Sequence, residues 1–579
     1  MRADTWHPDN SGLSLFYTMS ESELLQRRRS EFRPRHLAFC SFENRFGKSG
    51  GLAAVTANIL PYFNAQHVFE KVILLTPFYH RLADEKSCEH TGLTFTLPFQ
   101  DASVQVELLR YQHQYAIPEQ GVIEEYYLSA QGFFDAENAL RDPYLYVPGD
   151  LTENQKQLLR NSMFFCLAVP YALQALKMHQ DVVLHIQEWQ TALLALTSKE
   201  AMIGGVLQSC MTLLTMHNPY DAYVSSSAIQ QLVHAGKKEH ISRFLPQGLT
   251  AYQLGLVLAD APVTTVSRTF ASEFTSDRLQ TQHFAPHLQS LFQKTVVRGI
   301  NNGPFVGPSP AFPKAAAHTN QEIKKIKGEN RRRLLQVLDE YVPPERFGEL
   351  SYRRQSITTL PDDVPILVMS GRLDLMQKGF DVLLRTMELF GPDEVKLVVT
   401  PLPVRASDLD YFYEVACKCR GNVTVFPIRM SKGFNELQSG STFGIMPSIY
   451  EPFGAAIEYM VRGTVTIARQ TGGLVDQIDD RANGFLYREA EDCYTLDNIK
   501  SYMATTIVPV RKDNPWFESM AQHLYECIGQ ARLVFQNQPK EYFNMVRAGF
   551  IKAGEFDWAK SAQHYIETIN TAVSGAGTV

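Results

Sequence analysis

Short apolar runs recur along the chain, each closed by a turn signal and followed by a stretch of helical period. In the first half they fall at 36–42 (HLAFCSF), 71–77 (KVILLTP), 182–189 (VVLHIQEW), 212–218 (TLLTMHN) and 262–267 (PVTTVS). In the second half they fall at 364–369 (VPILVM), 396–400 (KLVVT), 423–426 (VTVF), 443–446 (FGIM) and 464–468 (TVTIA). Runs this short and continuous read as strands buried on both faces, and strands alternating with helices predict parallel sheets. Residues 94–129 alternate instead, which predicts several short strands. The fold class expected is α/β, with two doubly wound domains.

Between the halves, PFVGPSPAFP opens a stretch from 304 to about 363 that becomes a charged helix, IKKIKGENRRRLLQVLDEY. Dense proline followed by charge marks a domain boundary. The arginine run reads as a solvated helix face, because no aromatic residues interleave it as a nucleic-acid site would require. The divisions are then an N-terminal extension at 1–35, polar and helical from Ser20, a first domain at 36–304, a second at 305–555, and a terminal amphipathic helix at 556–579.

Composition narrows the class. A chain of 579 residues, 45% hydrophobic and 20% charged, suits a globular protein of more than one domain. A net charge of -6 supplies no basic field, so neither nucleic acid nor an anionic membrane is expected as a partner. No run reaches transmembrane length and no signal-peptide core opens the sequence. The 8 cysteines form no C-x-x-C pair and read as reduced thiols, so a cytoplasmic location is expected. Asp408 and Asp410 form a D-x-D, but positions i and i+2 do not share a helix face, and no metal is expected.

Three stretches carry chemistry. Residues 443–477 (FGIMPSIYEPFGAAIEYMVRGTVTIARQTGGLVDQ) read as strand, turn, helix from about Gly454 to Arg462, strand and glycine turn. Ligands of open α/β sheets sit beyond the carboxyl ends of strands, where both of these turns fall. Glu451 is read as an anion at the helix start, where the dipole favours it, sharing a face with Glu458 seven positions on. Gly472 and Gly473 suit a close approach of backbone amides to a phosphate. In the first half, Lys48 and the amides of Gly50 and Gly51 converge before a helix, again phosphate chemistry, although the P-loop pattern is absent. After the strand at 364–369, Arg372 and Lys378 place two cations in a loop before a helix, suited to neutralising a departing diphosphate.

These residues resemble a known family. MPSIYEPFG followed by RGTVTIARQTGGLVDQI is similar to the donor-site segment of the glycogen and starch synthases. E-x-x-x-x-K-S-G-G-L-A-x-V resembles their glycine-rich opening, VVLHIQEWQTALL their H-x-H-D-W segment with Gln187 in place of the second histidine, and T-M-H-N their T-x-H-N. Thr265-Val-Ser with Phe270-Ala271, Gly299-Ile-Asn-Asn-Gly303 and S-G-R-L-D-L-M-Q-K-G-F-D resemble further segments in the family's order, over about residues 36 to 570. The family consists of retaining nucleotide-sugar glucosyltransferases of the GT-B fold, two Rossmann-like domains facing across a cleft.

The resemblance implies glucose transfer from ADP-glucose or UDP-glucose to the non-reducing end of an α-1,4-glucan, with the nucleotide sugar as substrate and no cofactor. It implies Arg372 and Lys378 as catalytic electrostatic groups and Glu451 as the ligand of the donor glucose hydroxyls. Thr471, Gly472 and Gly473 would take the diphosphate, and Lys48, Gly50 and Gly51 would contact diphosphate and glucose. His185, Gln187, His217, Asn218 and Asn302 would line the sugar site, Tyr450 would stack near the base, and the terminal helix would cross back to the first domain. Glu153-Asn154 is the nearest match to a segment that carries an active-site aspartate. Two other readings stay open: a related retaining glycosyltransferase with a different donor or a small-molecule acceptor, and a non-catalytic glucan-binding protein on the same fold.

Overall fold

In a computed structural model of the chain the described residues are 16–48, 50–80, 87–114, 122–134, 152–340, 360–391, 394–402, 409–419, 422–426 and 433–575. They group into two compact units, the first of Met1–Val266, Ala271–Gly303 and Trp558–Val579, the second of Ser267–Phe270 and Pro304–Asp557. Among the described residues no helix is long and apolar enough to cross a membrane.

The first unit is built on β1 (His36–Cys40), β2 (Lys71–Pro77), β3 (Glu89–Phe99), β4 (Ala102–Gln114), β5 (Val122–Ala130), β6 (Val182–Gln187) and β7 (Cys210–Met216). A minor antiparallel pair, β8 (Tyr223–Val224) and β9 (Leu249–Thr250), precedes β10 (Val263–Thr265) and β11 (Val297–Gly299). The main sheet runs β11-β10-β7-β6-β1-β2-β5-β4-β3, parallel except for the antiparallel arm β5-β4-β3. Every residue of β6 and β7 is buried, as continuous apolar strands require. The 94–129 region forms three long strands rather than several short ones, since alternation lets β3 bury one face and expose the other. The order turns at β1, whose neighbours are β2 and β6, so the loops after β1 and β6 open at a topological switch point.

Helix Met19–Glu31, closed by a Thr18–Glu21 capping box, belongs to the first unit and has Phe16, Tyr17, Leu25 and Phe32 buried in or beside it. Arg29 donates to the Asp260 carbonyl at 2.8 Å, and the Lys237 ammonium lies 4.2 Å from the centre of the Tyr17 ring. Helix Trp558–Ser574 joins the same unit, with Tyr565 6.0 Å from Phe63 and 4.7 Å from His185, ring centre to centre.

The second unit carries an all-parallel sheet of β12 (Ile366–Arg372), β13 (Lys396–Leu402), β14 (Val423–Val425), β15 (Phe443–Met446), β16 (Val465–Arg469) and β17 (Gly484–Tyr487), in the order β14-β13-β12-β15-β16-β17. Here the switch falls between β12 and β15. The charged helix Asn320–Glu340 belongs to this unit, and Lys324, Lys325, Arg332 and Arg333 are exposed as a solvated face requires, while Lys327 and Arg331 turn inward. Lys327 is buried and donates to the carbonyls of Ser439 (2.8 Å) and Ser441 (2.5 Å), and Arg331 donates to those of Pro361 and Val364, both at 2.8 Å. Burial, with Arg331 nearby, pushes the Lys327 ammonium down to about 7.

Candidate active site

In the second unit, β12, β15 and β16 end side by side, and the loops that leave them carry Arg372, Lys378, Glu451 and the glycine pair. Arg372 is the last residue of β12 rather than a loop residue, and its guanidinium reaches Asp374 Oδ2 (3.2 Å) and Gln377 Oε1 (3.3 Å). Lys378 precedes Gly379, which takes the left-handed conformation (φ 68°) at the start of helix Phe380–Met387. A Cβ at Gly379 would fall 2.1 Å from the Pro447 carbonyl oxygen, so only glycine lets these two loops approach.

Glu451 is not at a helix start. The helix begins at Ala456, after Gly454 at φ 90°, so Glu451 and Glu458 do not share one helix face. What holds the Glu451 carboxylate is Lys378, whose ammonium donates to Oε1 (3.0 Å) and Oε2 (2.7 Å), and the Ser448 hydroxyl at 2.9 Å. The loop beneath it is pinned through its backbone. Ile449 N–H donates to the Gln377 carbonyl (2.7 Å), the Ile449 carbonyl accepts from Arg469 (2.7 Å), and the Glu451 carbonyl accepts from Gly473 N–H (2.9 Å). The Pro452 carbonyl accepts from the Ser267 hydroxyl (2.5 Å) and the Phe453 carbonyl from the Gln477 amide (2.7 Å). Arg469 is in turn paired with buried Glu489, which also accepts from the Trp516 indole at 3.1 Å. Tyr450 is fully buried, which leaves its ring no open face for a nucleotide base.

The glycine pair has a packing cause. A Cβ at Gly472 (φ 48°) would lie 1.9 Å from the Glu451 carbonyl oxygen, and one at Gly473 would lie 2.2 Å from that of Phe453. The Gly473 amide, read from sequence as a phosphate ligand, is engaged by Glu451, and buried Thr471 donates its N–H to Arg469 O at 2.9 Å. Sequence reading also missed the clamp beneath Arg372 and Lys378. Fully buried Arg511 donates to the Leu375 carbonyl (2.8 Å), to Asp381 (2.7 Å) and to the Thr505 carbonyl (2.7 Å), and the Tyr502 hydroxyl reaches the same carboxylate at 3.1 Å. An aspartate three residues beyond Lys378 was a signal for a buried cation, but nothing in the sequence names Arg511 as its partner.

In the first unit the candidates collect at the carboxyl ends of β1, β6, β7 and β11, all parallel in one sheet. Lys48 is exposed in the loop after β1, and Gly50 and Gly51 lead into helix Leu52–Ala65. The Glu43 carboxylate occupies that helix start, accepting from Gly50 N–H (2.8 Å) and Ala53 N–H (3.3 Å). Asn44 and Arg45 fix the loop, the first through Thr76 and the Pro77 carbonyl, the second through a pair to buried Glu125 at 2.6 Å.

His185 and Gln187 share a face of β6. His185 is buried among Phe39, Phe63 and Tyr565, with Nε2 2.8 Å from the Thr215 hydroxyl and Nδ1 without a partner. Burial, with His217 nearby, pushes its imidazole down to about 3, so it stays neutral at physiological pH. His217, likewise pushed down to about 3 by burial, lies 2.8 Å from Gln187 Oε1, and this leaves Gln187 Nε2 as a buried donor without a partner. Asn218 is held by Glu188 at 3.1 Å. Asn302, beyond β11, is buried with its Oδ1 unpartnered. Residues 135–151 lie outside the described residues; Glu153 is exposed and paired with Lys156 at 2.7 Å.

Comparison with known proteins agrees with this arrangement. Residues 36–293 match the starch synthase catalytic domain family, and residues 353–505 match the group 1 glycosyl transferases. A glycogen synthase of Lactococcus lactis is 26% identical over 90% of this chain and 96% of its own length. One from Thermosipho africanus is 27% identical over 91% and 97%. Among solved structures, the catalytic domain of starch synthase IV from Arabidopsis thaliana, bound to ADP and acarbose, has the same fold, with a TM-score of 0.66 at 18% identity over 93% of this chain and 99% of that one. A region matching the starch synthase catalytic domain, followed by one matching the group 1 glycosyl transferases on a GT-B fold, makes the chain similar over about nine tenths of its length to the glycogen synthases.

Proposed function

We propose that the protein transfers glucose from a nucleoside diphosphate glucose, ADP-glucose or UDP-glucose, to the non-reducing end of an α-1,4-glucan with retention of configuration. The observation that carries this reading is the Lys378–Glu451 pair, a cation and a carboxylate held 2.7 Å apart on two loops whose backbones are latched together. With donor bound, Glu451 takes glucose hydroxyls, and Lys378 and Arg372 neutralise the diphosphate as the bond from C1 to the phosphate oxygen breaks. The acceptor hydroxyl forms the new bond to C1 on the face the diphosphate leaves, and its proton passes to the departing diphosphate. In the first unit, Gln187 Nε2, Asn218 and Asn302 supply hydrogen-bond partners to sugar hydroxyls, and Lys48, Gly50 and Gly51 supply diphosphate and glucose contacts. Neutral His185 and His217 orient neighbours without titrating. The Glu43 carboxylate at the Gly50 amide is the contact a donor would have to displace there.

The test is nucleotide release from ADP-glucose and from UDP-glucose, each with and without glycogen. Glycogen-dependent release from one donor supports the reading and identifies the base. Release from neither, by a folded protein that still binds glucan, favours a binding role.

A further inference from the structure

Among the described residues, Glu188 is the one non-glycine residue at the carboxyl end of a sheet strand in the first unit's switch region with a left-handed φ, 65° with ψ 173°. A non-glycine backbone in that region is strained and persists only where its surroundings fix it. Here they do: Glu188 N–H donates to the Thr215 carbonyl at 2.9 Å, and its carbonyl accepts from Thr191 N–H at 3.2 Å. The strain turns the side chain onto the end of the neighbouring strand, β7. Oε1 accepts from the Asn218 amide at 3.1 Å, and Oε2 lies 2.6 Å from the Tyr252 hydroxyl, itself 3.3 Å from the Asn218 carbonyl oxygen.

We propose that Glu188 is a positioning residue that sets Asn218 for sugar binding, through one oxygen on the Asn218 side-chain amide and through the Tyr252 hydroxyl on the Asn218 backbone carbonyl. This rests on Asn218 serving the glucosyl transfer proposed above. A hydroxyl has a single proton, so Tyr252 cannot donate to Glu188 and to Asn218 together. With Glu188 protonated, the acid donates to Tyr252, Tyr252 donates to the Asn218 backbone carbonyl, and the side chain and backbone of Asn218 are both held. With Glu188 ionised, Tyr252 turns to the carboxylate and the Asn218 carbonyl loses its donor. The groups facing Glu188 are Tyr252, Asn218, the His217 amide and the Glu43 carboxylate, and Asp221 faces Tyr252. Burial, with a contribution from Glu43, pushes the Glu188 carboxyl up to about 8, so the protonated arrangement is the one present at neutral pH.

The experiment compares wild type with Glu188→Gln, Glu188→Ala and Tyr252→Phe. A glutamine donates to Tyr252 and accepts from Asn218 at every pH, as the protonated acid does. In wild type, kcat/KM for the active nucleotide sugar with glycogen falls about tenfold from pH 7 to pH 9. Glu188→Gln restores most of what Glu188→Ala loses at pH 7 and abolishes the alkaline fall. Tyr252→Phe, which removes only a hydroxyl, raises KM for glycogen without abolishing turnover, and it serves if Glu188→Ala does not fold. Two further readouts do not need turnover: a carboxylic-acid infrared band at pH 7 that is missing in Glu188→Gln, and maltohexaose affinity that weakens from pH 7 to pH 9 in wild type only. If these hold while no nucleotide sugar is turned over, the transfer reading fails and the positioning role stands. A Glu188→Gln protein as impaired as Glu188→Ala, or a wild-type alkaline fall that persists in Glu188→Gln, overturns the proposal.

Discussion

Two loops of this chain look alike on paper and differ in physics. Both the 48–51 loop of the first unit and the 471–473 loop of the second place a glycine pair before a helix. In the second unit the glycines are imposed by the protein itself, since a Cβ at either position would penetrate the backbone of the loop that carries Glu451. In the first unit Gly51 has φ −75° and ψ −18° with nothing within 4 Å of its would-be Cβ. Among the described residues nothing packs against that position. The same dipeptide is a packing requirement in one place, while in the other Gly51 has open space beside it and the Gly50 amide is taken by the Glu43 carboxylate.

The difference can be broken by substitution. The largest effect is expected at the anchor of the second loop. Arg469→Met would leave Glu489 buried without its cation and free the Ile449 carbonyl, costing about 4 kcal/mol in a denaturant titration. Gly472→Ala or Gly473→Ala should cost about 3 kcal/mol, from a strained or colliding backbone, and should abolish transfer as the Glu451 loop shifts. Gly51→Ala should do the reverse. It stabilises by up to about 1 kcal/mol, because a helical φ suits alanine, while KM for the nucleotide sugar rises about tenfold. A destabilised Gly51→Ala protein with unchanged KM would erase the distinction drawn between the loops.

The strands were legible because their signal is local. β2 and β15 coincide with the apolar runs at 71–77 and 443–446, the other strands read from such runs end within a few residues of theirs, and the short β8, β9, β11 and β17 were not read. The helix after Glu451 was read too long, because the tight turn at Gly454 depends on a loop from elsewhere in the chain. Long-range partners left no local trace. Lys378 meets Glu451 across 73 residues, and Arg511 meets Asp381 across 130, so the residues could be nominated but their pairing could not. The N-terminal helix keeps an exposed face that includes Arg27 and Arg29, while Leu25 and the flanking Phe16, Tyr17 and Phe32 are buried.

The central claim, that the Lys378–Glu451 loops form a diphosphate site, is tested most directly by calorimetric titration of ADP and UDP into wild type and Lys378→Ala. One nucleotide should bind wild type and lose about tenfold or more in affinity in Lys378→Ala, since a lysine contact to phosphate is charge-assisted. Equal affinity for that nucleotide in both proteins, with Lys378→Ala folded, would contradict it.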